Sequence, residues 1–100
     1  KADVGDPRET PAIKVMEMLQ HEGTNLTYAD PFVPNLTLGE RSYQGVTLNE
    51  GLIQKSDAVL ILTAHSAFDY DHIVRHAKVV FDTRNATRHV KGGKDNVVLL

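Results

Sequence analysis

The run Ala58-Val59-Leu60-Ile61-Leu62 constrains this chain most, because it is apolar without alternation and stands between Asp57 and Thr63. That pattern predicts a strand buried on both faces, as parallel sheets require. A parallel neighbour needs a crossover of a dozen or more residues. Val79-Val80-Phe81 follows after about sixteen residues, and Ser66 to Tyr70 leads into a short helix through about His76 between them. Val97 to Leu100 reads as a last edge strand.

Upstream, Thr10-Pro11 marks a helix start, since Thr caps free amides and Pro fits the first helical position. Ala12, Val15, Met16 and Leu19 then share one face, with Met16 read as core, and Gly23 supplies the stop. The helix is expected from Pro11 to His21 or Glu22. Leu26 and Tyr28 alternate with polar neighbours in a short strand closed by Asp30-Pro31. Residues 31–47 hold Pro31, Pro34, Gly39 and Gly45 without a sustained period, and read as irregular connection with a brief extended piece near Val46. Asn49 to Lys55 predicts a short helix capped by Asn49.

Strands alternating with helices predict an α/β chain, a Rossmann-like parallel sheet with helices on both faces, formed by residues 1–100 as a single domain. A helix opening at residue 11 calls for a preceding strand, yet residues 1–9 hold little apolar material. The first strand is therefore expected before Lys1, truncated from a longer chain. It would lie between the Leu26 and Leu62 strands.

Lys and Arg number 11 against 13 Asp and Glu, mixed along the length, so the basic excess of a nucleic-acid binder is absent. No apolar run approaches the ~20 residues of a membrane span, and no stretch resembles a signal peptide. The N-x-Thr triplets at Asn25, Asn35 and Asn85 are accordingly read as coincidental, and the chain as soluble and cytoplasmic. With 0 cysteines, a disulfide framework, a thiolate metal site and a Cys nucleophile are excluded within these residues.

Ligands of open α/β sheets sit beyond the carboxyl ends of the strands. Tyr28-Ala29-Asp30, Leu62 to Ser66 and Asp82-Thr83-Arg84-Asn85 end there, and Lys1 would be a fourth. Lys1 and Arg84 together suit a phosphate or carboxylate, the guanidinium holding two oxygens at once. On the residues alone, the simpler account pairs Arg84 with Asp82 or Asp30 and leaves Lys1 solvated. Asp30 could serve as a ribose-binding acid, but no G-x-G-x-x-G precedes the helix, so these residues make no self-sufficient NAD site. His72 and His76, with Asp69 a turn earlier, have metal-ligand spacing but no clearly spaced third ligand, and read as a solvated helix face. Thr63, His65 and Ser66 lack an orienting acid and are taken as structural.

The run Lys1-Ala2-Asp3-Val4-Gly5-Asp6-Pro7-Arg8-Glu9-Thr10-Pro11 resembles the K-x-D-x-x-D-x-R-E-S/T-P signature opening the C-terminal, UDP-binding domain of the UDP-glucose/GDP-mannose (nucleotide-sugar 6-) dehydrogenases. The likeness continues through Tyr28-Ala29-Asp30-Pro31, Asp57 to Thr63 and Phe81 to Asn85, covering nearly the whole chain. Thr63-Ala64-His65-Ser66-Ala67-Phe68 is similar to the T-x-H-S-x-F pattern of the branch acting on UDP-N-acetylhexosamines, UDP-N-acetylglucosamine among them, more than to the UDP-glucose branch.

The resemblance implies a UDP-sugar-binding domain of an NAD-dependent enzyme of polysaccharide biosynthesis. Such an enzyme oxidises the sugar C6 alcohol to the carboxylate in two hydride transfers, through a thiohemiacetal and a thioester on an upstream Cys. By motif match Lys1 and Arg84 are expected to contact the UDP-sugar, which reverses the preference for a structural Arg84, and Arg8 to reach the NAD. No catalytic residue and no metal is expected within these residues. The expected partners are the UDP-sugar and the remainder of the dehydrogenase chain, as a homodimer, and the isolated segment is expected to be inactive. The competing expectation is a free-standing α/β nucleotide-binding or regulatory module without catalysis.

Overall fold

The computed structural model describes residues 11–100 of the chain. Lys1, Arg8 and Thr10, the last expected as a helix cap, lie outside the described residues. Contacts divide the chain into two compact units, with the boundary between Thr47 and Leu48.

The first unit opens with α1 (Pro11–His21), as the Pro start and Gly stop require. Ala12, Val15, Met16 and Leu19 are half-buried while Lys14, Glu17 and Met18 face outward. The helix ends in a Schellman motif: Thr24 donates to the Leu19 carbonyl and Gly23 to that of Gln20, both at 3.0 Å. Gly23 takes φ +83°, a left-handed conformation open to glycine at little cost.

Where an irregular connection was expected, β1 (Asn35–Leu38) and β2 (Arg41–Gln44) form an antiparallel hairpin. Leu38 opposes Arg41 across the two-residue loop Gly39-Glu40. Gly39 has φ +62° and Glu40 a negative φ, the pattern of a type II′ turn, whose twist matches that of paired strands. Leu38 and Tyr43 point inward, and the Gln20 amide donates to the Tyr43 hydroxyl at 3.0 Å, tying α1 to the hairpin.

Leu26 to Tyr28 forms no strand. Two alternating apolar residues give too little ladder to specify pairing. Instead Tyr28 accepts from the Val46 amide at 2.9 Å and donates its hydroxyl to the Val33 carbonyl at 2.8 Å, which ties it to the base of the hairpin.

The second unit carries α2 (Glu50–Lys55), β3 (Val59–Ile61), α3 (Tyr70–His76), β4 (Val80–Asp82) and β5 (Val97–Leu99). Asn49 caps α2, accepting from the Leu52 amide, and Asp69 caps α3, accepting from that of His72. The strands pair in the order β3-β4-β5, all parallel, an α/β arrangement with a Rossmann-like sheet. Ile53 from α2 and Ile73 and Val74 from α3 pack with Ile61 and Val80 of the sheet, so both helices cover one face.

The register places Leu60, Phe81 and Val98 side by side on the opposite face. Leu60 is 38% exposed and Val98 41% exposed, so the strand expected to be buried on both faces is covered on one within this unit. In this unit α2 and α3 lie on the face of Ile61 and Val80. The unbroken apolar run records strand propensity as well as burial, and cannot tell the two faces apart. Among the described residues, no helix is long and apolar enough to cross a membrane.

Candidate functional site: the carboxyl edge of the parallel sheet

Because β3 and β4 are parallel with Ile61 beside Asp82, the segments following them leave the sheet together. The Ile61 carbonyl accepts from the Thr83 amide at 3.2 Å and from the Thr83 hydroxyl at 2.7 Å, which carries the pairing past the end of β4. Two of the three segments singled out in the sequence therefore meet at one edge. Tyr28 to Asp30 belongs to the other unit, where Asp30 Oδ1 accepts from the Phe32 amide at 2.8 Å in a local turn. Tyr28 there has its phenol raised above its ordinary value, first by burial and then by the Asp30 charge, against a smaller lowering by a bond with the Gly45 backbone.

Asp82 is 1% exposed and organises the loop that follows it. Its Oδ1 accepts from the amides of Arg84 and Ala86, each at 3.0 Å. Its Oδ2 accepts from the Thr87 amide at 2.9 Å and the Thr87 hydroxyl at 2.7 Å. Burial pushes this carboxyl up, but the bonds from the Thr87 hydroxyl and from the amides of Thr87, Ala86 and Arg84 outweigh it and hold it below its ordinary value. Asn85 turns the chain at φ +54°, a conformation that Asn tolerates better than most residues.

This arrangement decides what the loop can do. Three of its amides point inward to Asp82 and are taken up there. Asp82 engages the main chain of Arg84, and the Arg84 side chain stands exposed at the carboxyl edge. A guanidinium on a loop fixed from beneath is prepared to take two oxygens of a phosphate in one geometry. His65 is 2% exposed, its carbonyl accepting from the Tyr70 hydroxyl at 2.7 Å and its ring 6.1 Å from that of Phe68.

The role of Asp82 is the feature that sequence reasoning missed. Its signal was the Thr five residues downstream with an Asn between them, a composition typical of side chains that bond their own loop.

Comparison with known proteins identifies the family. A family model described as "UDP-glucose/GDP-mannose dehydrogenase family, UDP binding domain" matches residues 1–89. The UDP-N-acetyl-D-mannosamine dehydrogenase of Methanococcus maripaludis strain C7 is 35% identical over 97 residues, and that of Methanococcus aeolicus is 31% identical over 98. Each alignment covers 89% of this chain and 21% of the relative, so the chain spans about a fifth of the length of these proteins. No solved structure matches the chain. On these grounds the chain belongs to the UDP-glucose/GDP-mannose dehydrogenase family, in the part described as its UDP binding domain.

Proposed function

We propose that residues 1–100 act as the single UDP-sugar-binding domain of an NAD-dependent nucleotide-sugar 6-dehydrogenase, with Lys1 and Arg84 contacting the UDP-sugar and Arg8 reaching the NAD. The observation that carries this reading is the loop anchored on Asp82, with the Arg84 fork exposed at the carboxyl edge of a parallel sheet. A diphosphate or the substrate's other oxygens suit that fork. The preferred substrate is a UDP-N-acetylhexosamine. The T-x-H-S-x-F pattern at Thr63 to Phe68 and the names of the relatives both support it, and the relatives favour the mannosamine epimer.

The chemistry would run in the parent chain. The C6 alcohol would lose a first hydride to give the aldehyde, and a thiol would add to it as a thiohemiacetal. Loss of a second hydride would give a thioester, and water would hydrolyse that to the carboxylate and the free thiol, with two NAD each taking one hydride. The thiol would come from outside these residues, which contain no cysteine. The enzyme would serve polysaccharide biosynthesis in the cytoplasm as a homodimer.

The test is steady-state NADH production by the parent enzyme with UDP-N-acetylmannosamine, UDP-N-acetylglucosamine and UDP-glucose. Turnover of an N-acetylhexosamine substrate at the highest kcat/KM is expected. Absence of turnover with every UDP-sugar would overturn the assignment.

A further inference from the structure

Away from the carboxyl-edge loop, α2 and α3 bring together a donor set that the linear sequence hides. His72 and His76 lie one turn apart on α3, their ring centroids 4.6 Å apart. The third donor comes from the first residue of α2: Glu50 Oε1 stands 3.4 Å from His76 Nε2. One ligand atom from each of Glu50, His72 and His76 lies within 4.8 Å of the others. Asp69, the acid nearest in sequence, is engaged in capping α3 and is not the third donor.

We propose that Glu50, His72 and His76 form a binding site for a borderline divalent cation of the zinc type, bridging α2 and α3. Two imidazoles and one carboxylate favour zinc or its transition-metal neighbours over magnesium and calcium, which prefer oxygen ligands throughout. Donors about 2.0–2.1 Å from one tetrahedral ion are about 3.3 Å from each other. To reach that value the donor atoms, now within 4.8 Å of one another, would have to draw together, and the exposure of Glu50 and the half-burial of the histidines leave their side chains room to rotate. The helices need not move, because Ile53 of α2 and Ile73 of α3 already lie in one core.

A further contact fits this role. Gln54, one turn after Glu50 on α2, places its amide 3.4 Å from His76 Nδ1. The two ends of a Gln amide are interchangeable by rotation. With its oxygen toward the ring it accepts from Nδ1–H, which leaves the Nε2 lone pair facing Glu50 and the ion. This is the outer hydrogen bond that metal-ligating histidines usually make.

The 100-residue chain suits a direct test, since it has no thiolate to compete for metal. Zinc chloride titrated by calorimetry should give one saturable site, shift the imidazole resonances of His72 and His76, and raise the thermal midpoint. Magnesium and calcium should do none of these. His76→Ala and Glu50→Gln should each remove or strongly weaken the site, and Gln54→Ala should weaken it about ten- to a hundredfold. Glu50 and Gln54 are exposed, so their variants report on metal even if a His variant unfolds. Absence of saturable zinc binding, or isotherms unchanged by Glu50→Gln, would overturn the proposal.

Discussion

The Asp82 carboxylate and the Thr87 side chain meet at 2.7 Å in the interior, both 1% exposed, and this contact closes the loop that carries Arg84. Replacing Asp82 with Asn keeps the shape and removes acceptor capacity, so one of the donors aimed at it must lose its partner. A buried donor left unpaired costs about 1–3 kcal/mol, and Asp82→Asn should lower unfolding stability by that order in urea titrations at neutral pH.

The same carboxyl makes stability depend on acid. Its folded value lies below that of the unfolded chain, about 3.9 for Asp. The contribution is therefore complete above that unfolded value and is lost as pH falls through the folded one. Urea midpoints measured from pH 6 downward should fall more steeply below about pH 4 in the parent chain than in Asp82→Asn. Equal slopes would mean that Asp82 does not carry the acid sensitivity.

What the sequence reveals follows the reach of the interactions concerned. Pro11, Gly23 and Asn49 act within a turn of themselves, and α1 and α2 begin or end where these residues place them. The parallel strands were legible because Val59, Val80 and Val97 belong to compact apolar runs at crossover spacing. The hairpin was not, because Pro34 and Gly45 read as breakers although they close its base, the Gly45 amide donating to the Pro34 carbonyl at 2.9 Å. Arg84 was identified as a site candidate, whereas the inward use of its amide by Asp82 is a property of the folded loop. Glu50 and His76, far apart in sequence, meet only because α2 and α3 pack together.

Gly23 and Gly93 separate backbone strain from packing. Neither would bring an added Cβ within 4 Å of another atom, but Gly23 alone of the pair has positive φ, at +83°. Gly23→Ala should cost about 1–2 kcal/mol by forcing a left-handed alanine at the end of α1. Gly93→Ala should be neutral or slightly stabilising. Thermal melts of both variants decide the matter, and equal midpoints would contradict the Schellman account.

Asn96 ties β5 to the end of α3, its side-chain amide donating to the carbonyls of Val74 at 2.8 Å and Ala77 at 2.9 Å. Asn96→Ala frees both acceptors and should cost about 1–3 kcal/mol. Asn96→Asp should cost more, since its oxygens would face those carbonyls. Amide exchange should rise first in the last turn of α3. Uniform acceleration over the unit would instead indicate global loss.

Arg84 supplies the decisive test of the proposed site, because the loop beneath it is held by Asp82 and not by the guanidinium. Arg84→Ala should leave stability within about 0.5 kcal/mol of the parent, as for other exposed substitutions. In the parent dehydrogenase a lost charge-assisted bond of about 1.5–3 kcal/mol should lower kcat/KM for the UDP-sugar by about ten- to a hundredfold. Arg84→Lys should recover only part, since charge returns without the fork. The KM for NAD should hardly move, while Arg8→Ala should show the reverse pattern. If Arg84→Ala keeps kcat/KM for the UDP-sugar within about a factor of two, below the loss expected of such a bond, the guanidinium does not contact substrate.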